Sequence, residues 1–390
     1  MKLIVIGFGQ CGSRIADEFA QLNGRARSQR GIEIVTGTFA VNTDVADLSG
    51  LSGMKSDYQH RILIGSRKTS GHGVGKINEV GAEIARQDRD KVIDAIRSAE
   101  RFYEADAFLL IAGAAGGTGS GSMPVLAQTI KERYSDKAVF ALAVLPFEHE
   151  EETEARTILN SASCLKATYS VADAVFLVDN QRYIRKDSSL ANNMSAVNRL
   201  IAEPFYDLLC AGEEKKARHI GARLLDAGDI MQTLAGWTIL GYGKSELPTF
   251  RLPFGQSNFR KKSTETHKGI QAMDNAMSDL SLKCNPGDAG RALYLLSAPS
   301  VEMNMDLVKE LGEYLRQSAP EAIIRYGDYP RNRSALRITV ILSELKRVEK
   351  IMDYYQRMPG LMEEQERRQQ DSEAKIEELI DASTAVPSLL

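Results

Sequence analysis

Cysteine is scarce in this chain and never paired in sequence. Cys11, Cys164, Cys210 and Cys284 stand far apart with no C-x-x-C among them. That spacing argues against a zinc site and a disulfide framework and for a reducing cytoplasm. No stretch approaches the roughly 20 consecutive apolar residues of a membrane span. The apolar start Leu3-Ile4-Val5-Ile6 is too short for a signal peptide and reads as a buried strand. An excess of charge is also missing: the formal net charge is −3 in 390 residues, so no global field draws in nucleic acid or an anionic membrane. The one basic cluster, Arg260-Lys261-Lys262, is too small to support nucleic-acid binding and reads as a solvated loop. No internal repeat is visible.

What is present in abundance is glycine, and it is clustered. The run Gly113-Ala114-Ala115-Gly116-Gly117-Thr118-Gly119-Ser120-Gly121-Ser122 lies between the apolar run Ala107 to Ala112 and a helix-like run from Met123 to Lys131. Glycines with small hydroxyl residues let backbone N–H groups crowd around an anion, and a helix N-terminus behind them adds partial positive charge. The run therefore reads as a phosphate cradle. It lacks the lysine of the G-x-x-x-x-G-K-[ST] pattern, so something else must meet a terminal phosphate. The plain alternative is a flexible turn, for which two or three glycines suffice.

Leu3 to Ile6 leads through Gly7-Phe8-Gly9-Gln10-Cys11-Gly12 into a helix running to about Leu22. Gly7, Gly9 and Gly12 satisfy G-x-G-x-x-G, which raises a dinucleotide site. The acidic ribose ligand expected about 20 residues later is missing; the next strand, Val35 to Val41, ends in Asn42-Thr43-Asp44. Mononucleotide binding by several loops fits better. A strand over Arg61 to Gly65 precedes another glycine-rich loop, Ser66 to Gly75, containing Gly71, Gly73 and Gly75. That loop is suited to close over a terminal phosphate, or is simply a surface loop.

Strands at Lys137 to Leu145 and Ala174 to Val178 flank a helix from Thr153 to Thr168. The alternation predicts an α/β fold with a doubly wound parallel sheet and ligands at the carboxyl ends of its strands. A long helix is expected from Asn192 to about His219, then the loop Gly221 to Asp229 and a further helix. After a loop-rich stretch from Ser245 to Ser263 come a helix at Thr264 to Leu280, strands at Ala292 to Ser297, Ala322 to Tyr326 and Ala335 to Leu342, and a helix from Met305 to Gln317. These form a second, smaller α/β layer. The chain closes in a charged helix and the tail Val386-Pro387-Ser388-Leu389-Leu390, suited to dock a partner. The expected organisation is a nucleotide-binding domain over 1–190, a central helix and loop over 191–233, a second domain over 234–343 and a C-terminal helix and tail over 344–390.

Taken together the motifs resemble the tubulin/FtsZ superfamily over nearly the whole chain. Ala115 to Gly121 resembles the signature GGGTGSG with one glycine replaced by alanine, and Gly9-Gln10-Cys11-Gly12 is identical to the first nucleotide loop of tubulins. Asn42-Thr43-Asp44, Pro146-Phe147 and Leu336 to Ile341 are similar to segments of FtsZ. The opening Met1 to Gln10, the loop Gly71 to Gly75 and the acidic C-terminal helix look most like the archaeal CetZ group. The resemblance implies a cytoplasmic GTPase that uses GTP, GDP and Mg²⁺, assembles head to tail into protofilaments and acts in cell shape control. FtsZ-type division and a non-polymerising nucleotide switch or dinucleotide enzyme are the alternatives.

By the same resemblance the GTP-binding residues are Gly9, Gln10, Cys11, Gly12, Asn42, Gly71, Gly73, Gly75, Gly116, Gly117, Thr118, Gly119, Ser120, Glu152, Arg156, Asn180 and Asn198. Asn180 and Asn198 pair with guanine, each amide offering donor and acceptor. Met194 stands where the superfamily often has a stacking aromatic. Gln10 contacts the phosphates or Mg²⁺ through water. Asp226 and Asp229 correspond to the acids that orient the attacking water for the next subunit's nucleotide, with Leu224 in place of an FtsZ asparagine. Their spacing is equally that of a helix start. The implied partners are further copies of the chain and an adaptor on the tail, with neither nucleic acid nor membrane insertion. His72 and Trp237 read as loop and core residues.

Overall fold

The computed structural model describes residues 1–184, 190–247, 258–331, 335–384 and 386–387. Among these described residues ten strands form one continuous sheet: β1 (Leu3–Phe8), β2 (Val35–Asn42), β3 (Arg61–Leu63), β4 (Ala107–Gly113), β5 (Ala138–Leu145), β6 (Ala174–Asp179), β7 (Gly236–Glu246), β8 (Ala289–Ala298), β9 (Ile323–Pro330) and β10 (Ala335–Leu345). Their spatial order is β3-β2-β1-β4-β5-β6-β7-β10-β8-β9. The first six are parallel, with Gly7 opposite Ile111 and Phe8 opposite Ala112 where β1 meets β4. This is the doubly wound order, in which chain direction across the sheet reverses between β1 and β4 and leaves a crevice at their carboxyl ends. β7 continues the parallel run beside β6, and the remaining strands add a mixed sheet with β10 antiparallel to both β7 and β8.

Among the described residues the α-helices are α1 (Gly9–Arg30), α2 (Val45–Ser49), α3 (Ser66–Thr69), α4 (Asn78–Gln87), α5 (Arg89–Arg97), α6 (Thr118–Arg133), α7 (Glu148–Thr153), α8 (Ala155–Tyr169), α9 (Leu190–Ala211), α10 (Ala227–Thr233), α11 (Asn258–Ser278), α12 (Met305–Ser318) and α13 (Glu349–Ser383). Two apolar cores lie on the two faces of the sheet. One packs α4, α5, α6 and α8 against β1 and β4, and the other packs α1 and α9 on the opposite side. A strand covered on both faces must be apolar throughout, and Ala107 to Ala112 of β4 is uniformly buried.

Several elements depart from expectation for identifiable reasons. α1 runs past Leu22 to Arg30, because Asn23 and Gly24 do not stop it. The Asn23 side chain instead accepts from Ile34 and Val35 N–H at 3.0 and 3.1 Å, and the left-handed cap is Gly31, φ 70°. α9 ends at Ala211 rather than near His219, since the returning chain lies against Gly212, where a Cβ would stand 2.9 Å from the Leu225 carbonyl oxygen. The loop from Ser66 contains the short helix α3, the expected helix over Thr153 to Thr168 is α8 with the unexpected short helix α7 before it, and α11 starts at Asn258 rather than Thr264. Strand β7 was not expected at all. Its Gly241 and Gly243 dilute the apolar pattern because α11 crosses there, its Ala272 and Ala276 carbonyls lying where Cβ atoms would project. No helix among the described residues is long and apolar enough to cross a membrane.

Candidate functional site

A cleft of about 390 Å³ opens at the carboxyl ends of β1, β4 and β5. Its floor is the turn of β1 into α1, where Gly9 has φ 65° and a Cβ would come within 2.9 Å of the Gly119 N–H nitrogen. Only glycine lets these two loops touch. The wall is Gly116 to Gly119, running into the N-terminus of α6, with its unpaired N–H groups and positive dipole end directed at the cleft. Ala114 N–H donates to the Val144 carbonyl at 2.8 Å, and the hydroxyls of Thr118 and Thr43 are 2.6 Å apart, tying the cradle to β5 and to the end of β2.

Gly73, Val74, Gly75 and Lys76 close the third side. The Asn160 side chain of α8 locks this loop to the cradle, donating at 2.9 Å to both the Lys76 and the Ala115 carbonyls. Asn42, Asp44 and Asp47 come from the end of β2 and from α2. Asp44 caps α2 by accepting from Ala46 and Asp47 N–H, while the Asp47 carboxylate accepts from Gln10 at 2.7 Å and Asn42 at 3.0 Å. Leu145, Pro146, Phe147 and Glu150 with Asn180 and Met194 line the remaining end. The Cys11 thiol in this floor is pushed up to about 12, by burial first and then by the Glu150 carboxylate. Held as the neutral thiol, it serves as part of the floor.

Residues 2–186 match the model of the Tubulin/FtsZ family, GTPase domain, and residues 187–358 match that of the Tubulin-like CetZ, C-terminal domain. The chain belongs to the CetZ family of tubulin-like proteins. The tubulin-like protein CetZ1 of Haloferax volcanii is 32% identical over 344 residues, which is 85% of this chain and 84% of that one. The GDP-bound monomer of CetZ1 from that organism superposes with a TM-score of 0.78 at 29% identity, covering 93% of this chain and 100% of that one. The GTPγS-bound protofilament of its CetZ2 gives 0.79 at 28%, covering 94% and 100%.

Of the residues singled out from sequence, this CetZ chain brings Gly9, Gln10, Cys11, Asn42, Gly73, Gly75, Gly116, Gly117, Thr118, Gly119 and Asn180 to the cleft. The others stand behind or beside it. Gly12 packs α1 onto β4, Gly71 packs on Val45, and the Ser120 hydroxyl donates to the Gly116 carbonyl inside the first turn of α6. Asn198 is buried one helical turn beyond Met194 on the same face of α9. Arg156 pairs with Glu79 and reaches the Lys76 carbonyl at 3.4 Å; Glu152 is exposed on α7. Asp47, Lys76 and Glu150 also line the cleft, and sequence reasoning had not singled them out. The signal for Asp47 is the Asx cap at Asp44 that begins α2; Lys76 and Glu150 sit in stretches with no motif of their own.

Asp226 and Asp229 lie at the other edge of the sheet. The 22 residues of α9 span about 33 Å, and the helix ends beside the start of β1, where the Met1 ammonium donates to the Leu209 carbonyl at 3.2 Å and pairs with Glu213 at 2.9 Å. From there the loop reaches α10, whose N-cap is Asp226, accepting from Asp229 N–H at 2.8 Å. Asp229 pairs with Arg325 of β9 at 2.9 Å, and Asp328 accepts from Ala222 and Arg223 N–H at 3.0 and 2.6 Å. The loop is thus fastened to β9 with Asp226 and Leu224 turned to solvent. Of the tail, residues 385 and 388–390 lie outside the described residues, as do the side chains of Arg260, Lys261 and Lys262. His72 is exposed in its loop, and Trp237 is half-buried with its ring stacked 4.4 Å from that of Tyr169.

Proposed function

We propose that the chain binds GTP in the β1/β4 cleft, assembles head to tail and hydrolyses the nucleotide at the contact between subunits. The observation that carries this reading is the separation of two half-sites: a phosphate cradle at one edge of the sheet, and a solvent-facing carboxylate loop at the other. Within one copy they cannot meet, whereas stacked copies bring one against the next. The GDP-bound monomer of CetZ1 supports the ligand, and the GTPγS-bound protofilament of CetZ2 supports both the ligand and the assembly.

In this reading N–H groups of Gly116 to Ser120 and the glycines at 9, 73 and 75 hold the phosphates, and Asn180 and Asn198 serve the base, Asn198 from beneath Met194. A magnesium ion fits the donors present. Gln10, Asp44 and Asp47 are oxygen-bearing side chains at one side of the cleft, and oxygen is the donor that Mg²⁺ takes. When bound it neutralises charge on the β and γ oxygens. Asp226 and Asp229 of the neighbouring copy polarise and orient the attacking water. The exposed, acidic outer part of α13 and the tail serve to dock an adaptor, and the polymer acts in cell shape control in the cytoplasm.

Asp226→Asn separates the two roles of that residue. Asparagine caps a helix about as well as aspartate, so stability is expected to hold within about 0.5 kcal/mol while GTP turnover per unit polymer falls at least about a hundredfold. Wild-type turnover in this variant would reduce Asp226 to a cap.

A further inference from the structure

The cradle has no P-loop lysine, yet one lysine stands at its rim. Among the described residues lining the cleft, Lys76 is the one basic side chain, against the three carboxylates of Asp44, Asp47 and Glu150. A triphosphate would add further negative charge to that balance. Lys76 lies directly on the cradle: a Cβ on Gly117 would come within 2.9 Å of the Lys76 carbonyl carbon. Its backbone is held in the left-handed region, φ 64°, which a residue with a Cβ rarely adopts. The carbonyl is pinned there by Asn160 at 2.9 Å and Arg156 at 3.4 Å. Strain of this kind persists where the surroundings enforce it, commonly at ligand clamps.

The ammonium itself rests on Glu154 at 2.8 Å and the Thr157 hydroxyl at 2.9 Å. Glu154 is about half exposed, 48%, so its hold is a weak surface ion pair. A phosphate oxygen, carrying more negative charge, is the stronger partner for a cation on a flexible four-carbon stem. Arg156, the neighbouring cation, is already engaged by Glu79 outside the cleft.

We infer that Lys76 is the cation that meets the terminal phosphate, its ammonium leaving Glu154 for the γ-phosphate and so making the cleft distinguish a nucleoside triphosphate from a diphosphate. This rests on the nucleotide reading above. The test is equilibrium binding of GTPγS and of GDP to the full chain and to Lys76→Asn, asparagine being among the residues that tolerate a left-handed backbone. A lost charge-assisted contact predicts that GTPγS binding weakens by about tenfold or more while GDP binding stays within about twofold. Lys76→Gly, which relieves the strain as well as removing the ammonium, is expected to behave alike and serves if the asparagine variant does not fold. Equal weakening of both ligands, or no change in either, would overturn the inference and leave Lys76 a structural part of its loop. Failure of the unaltered chain to bind either nucleotide is a different result, and it would remove the nucleotide reading itself.

Discussion

Gly116 and Gly12 belong to the two glycine runs and have opposite surroundings. Nothing lies within 4 Å of where a Cβ on Gly116 would project, because that position opens into the cleft. At Gly12 a Cβ would meet the Ile111 carbonyl oxygen at 2.0 Å, backbone against backbone. Gly116→Ala is therefore expected to leave stability within about 0.5 kcal/mol and to impair nucleotide binding, since the methyl takes space a phosphate needs. Gly12→Ala is expected to cost roughly 1–3 kcal/mol or more by overpacking. Thermal denaturation beside a GDP binding isotherm checks the pair. A Gly116→Ala protein that binds GDP normally would show that the cradle is not where the phosphates sit.

At the scale of elements, the loop after α9 is the joint on which the account depends, and it carries a proton-sensitive contact. His219 is buried where this loop meets the end of β9; Nδ1–H donates to the Pro330 carbonyl at 3.2 Å and Nε2 accepts from Arg218 at 3.1 Å. Burial, then the nearby Arg30, lowers its pKa below the ordinary 6.5. The folded protein keeps this ring neutral while the unfolded chain takes up a proton, so below pH 6.5 the unfolded state binds more protons and stability falls. His219→Gln is expected to flatten the loss of stability as pH falls below about 6.5, measured by denaturant melts on both sides of that pH; an unchanged slope would place the titrating group elsewhere. How legible these elements were in sequence follows from how local their causes are. The parallel strands and the cradle announce themselves through apolar runs and clustered glycine, which need no partner to be recognised. The end of α9 depends on Gly212 meeting Leu225, and β7 on glycines that α11 crosses; both causes are distant in sequence. The cleft was legible where it is glycine and backbone. It was not legible at Asp47, Lys76 and Glu150, whose roles come from the folding of three separate loops toward one point.

The whole molecule joins these parts through one sheet. β7 runs from the carboxylate edge beside β6 into the second layer, and α9 crosses the same distance on one face, so the two edges are held at a fixed separation. α13 adds a further tie beside the cleft: Lys350 pairs with Glu151 at 3.1 Å and with Asp179 at 3.0 Å, and the Tyr354 hydroxyl reaches Glu151 at 2.6 Å. Asp179 immediately precedes Asn180, and Glu151 follows Glu150, so the C-terminal helix braces the wall on which both cleft residues stand. In the assembly proposed above, half-sites on opposite edges make the molecule a repeating unit, and hydrolysis becomes a property of the contact. The measurement that tests this most directly is GTP turnover per molecule as a function of protein concentration. A site completed only between subunits predicts negligible turnover below a threshold concentration and a steep rise above it, as neighbours begin to complete each other's sites. Turnover per molecule that stays constant from the most dilute solution upward would contradict it, because each copy would then hold a whole active site of its own.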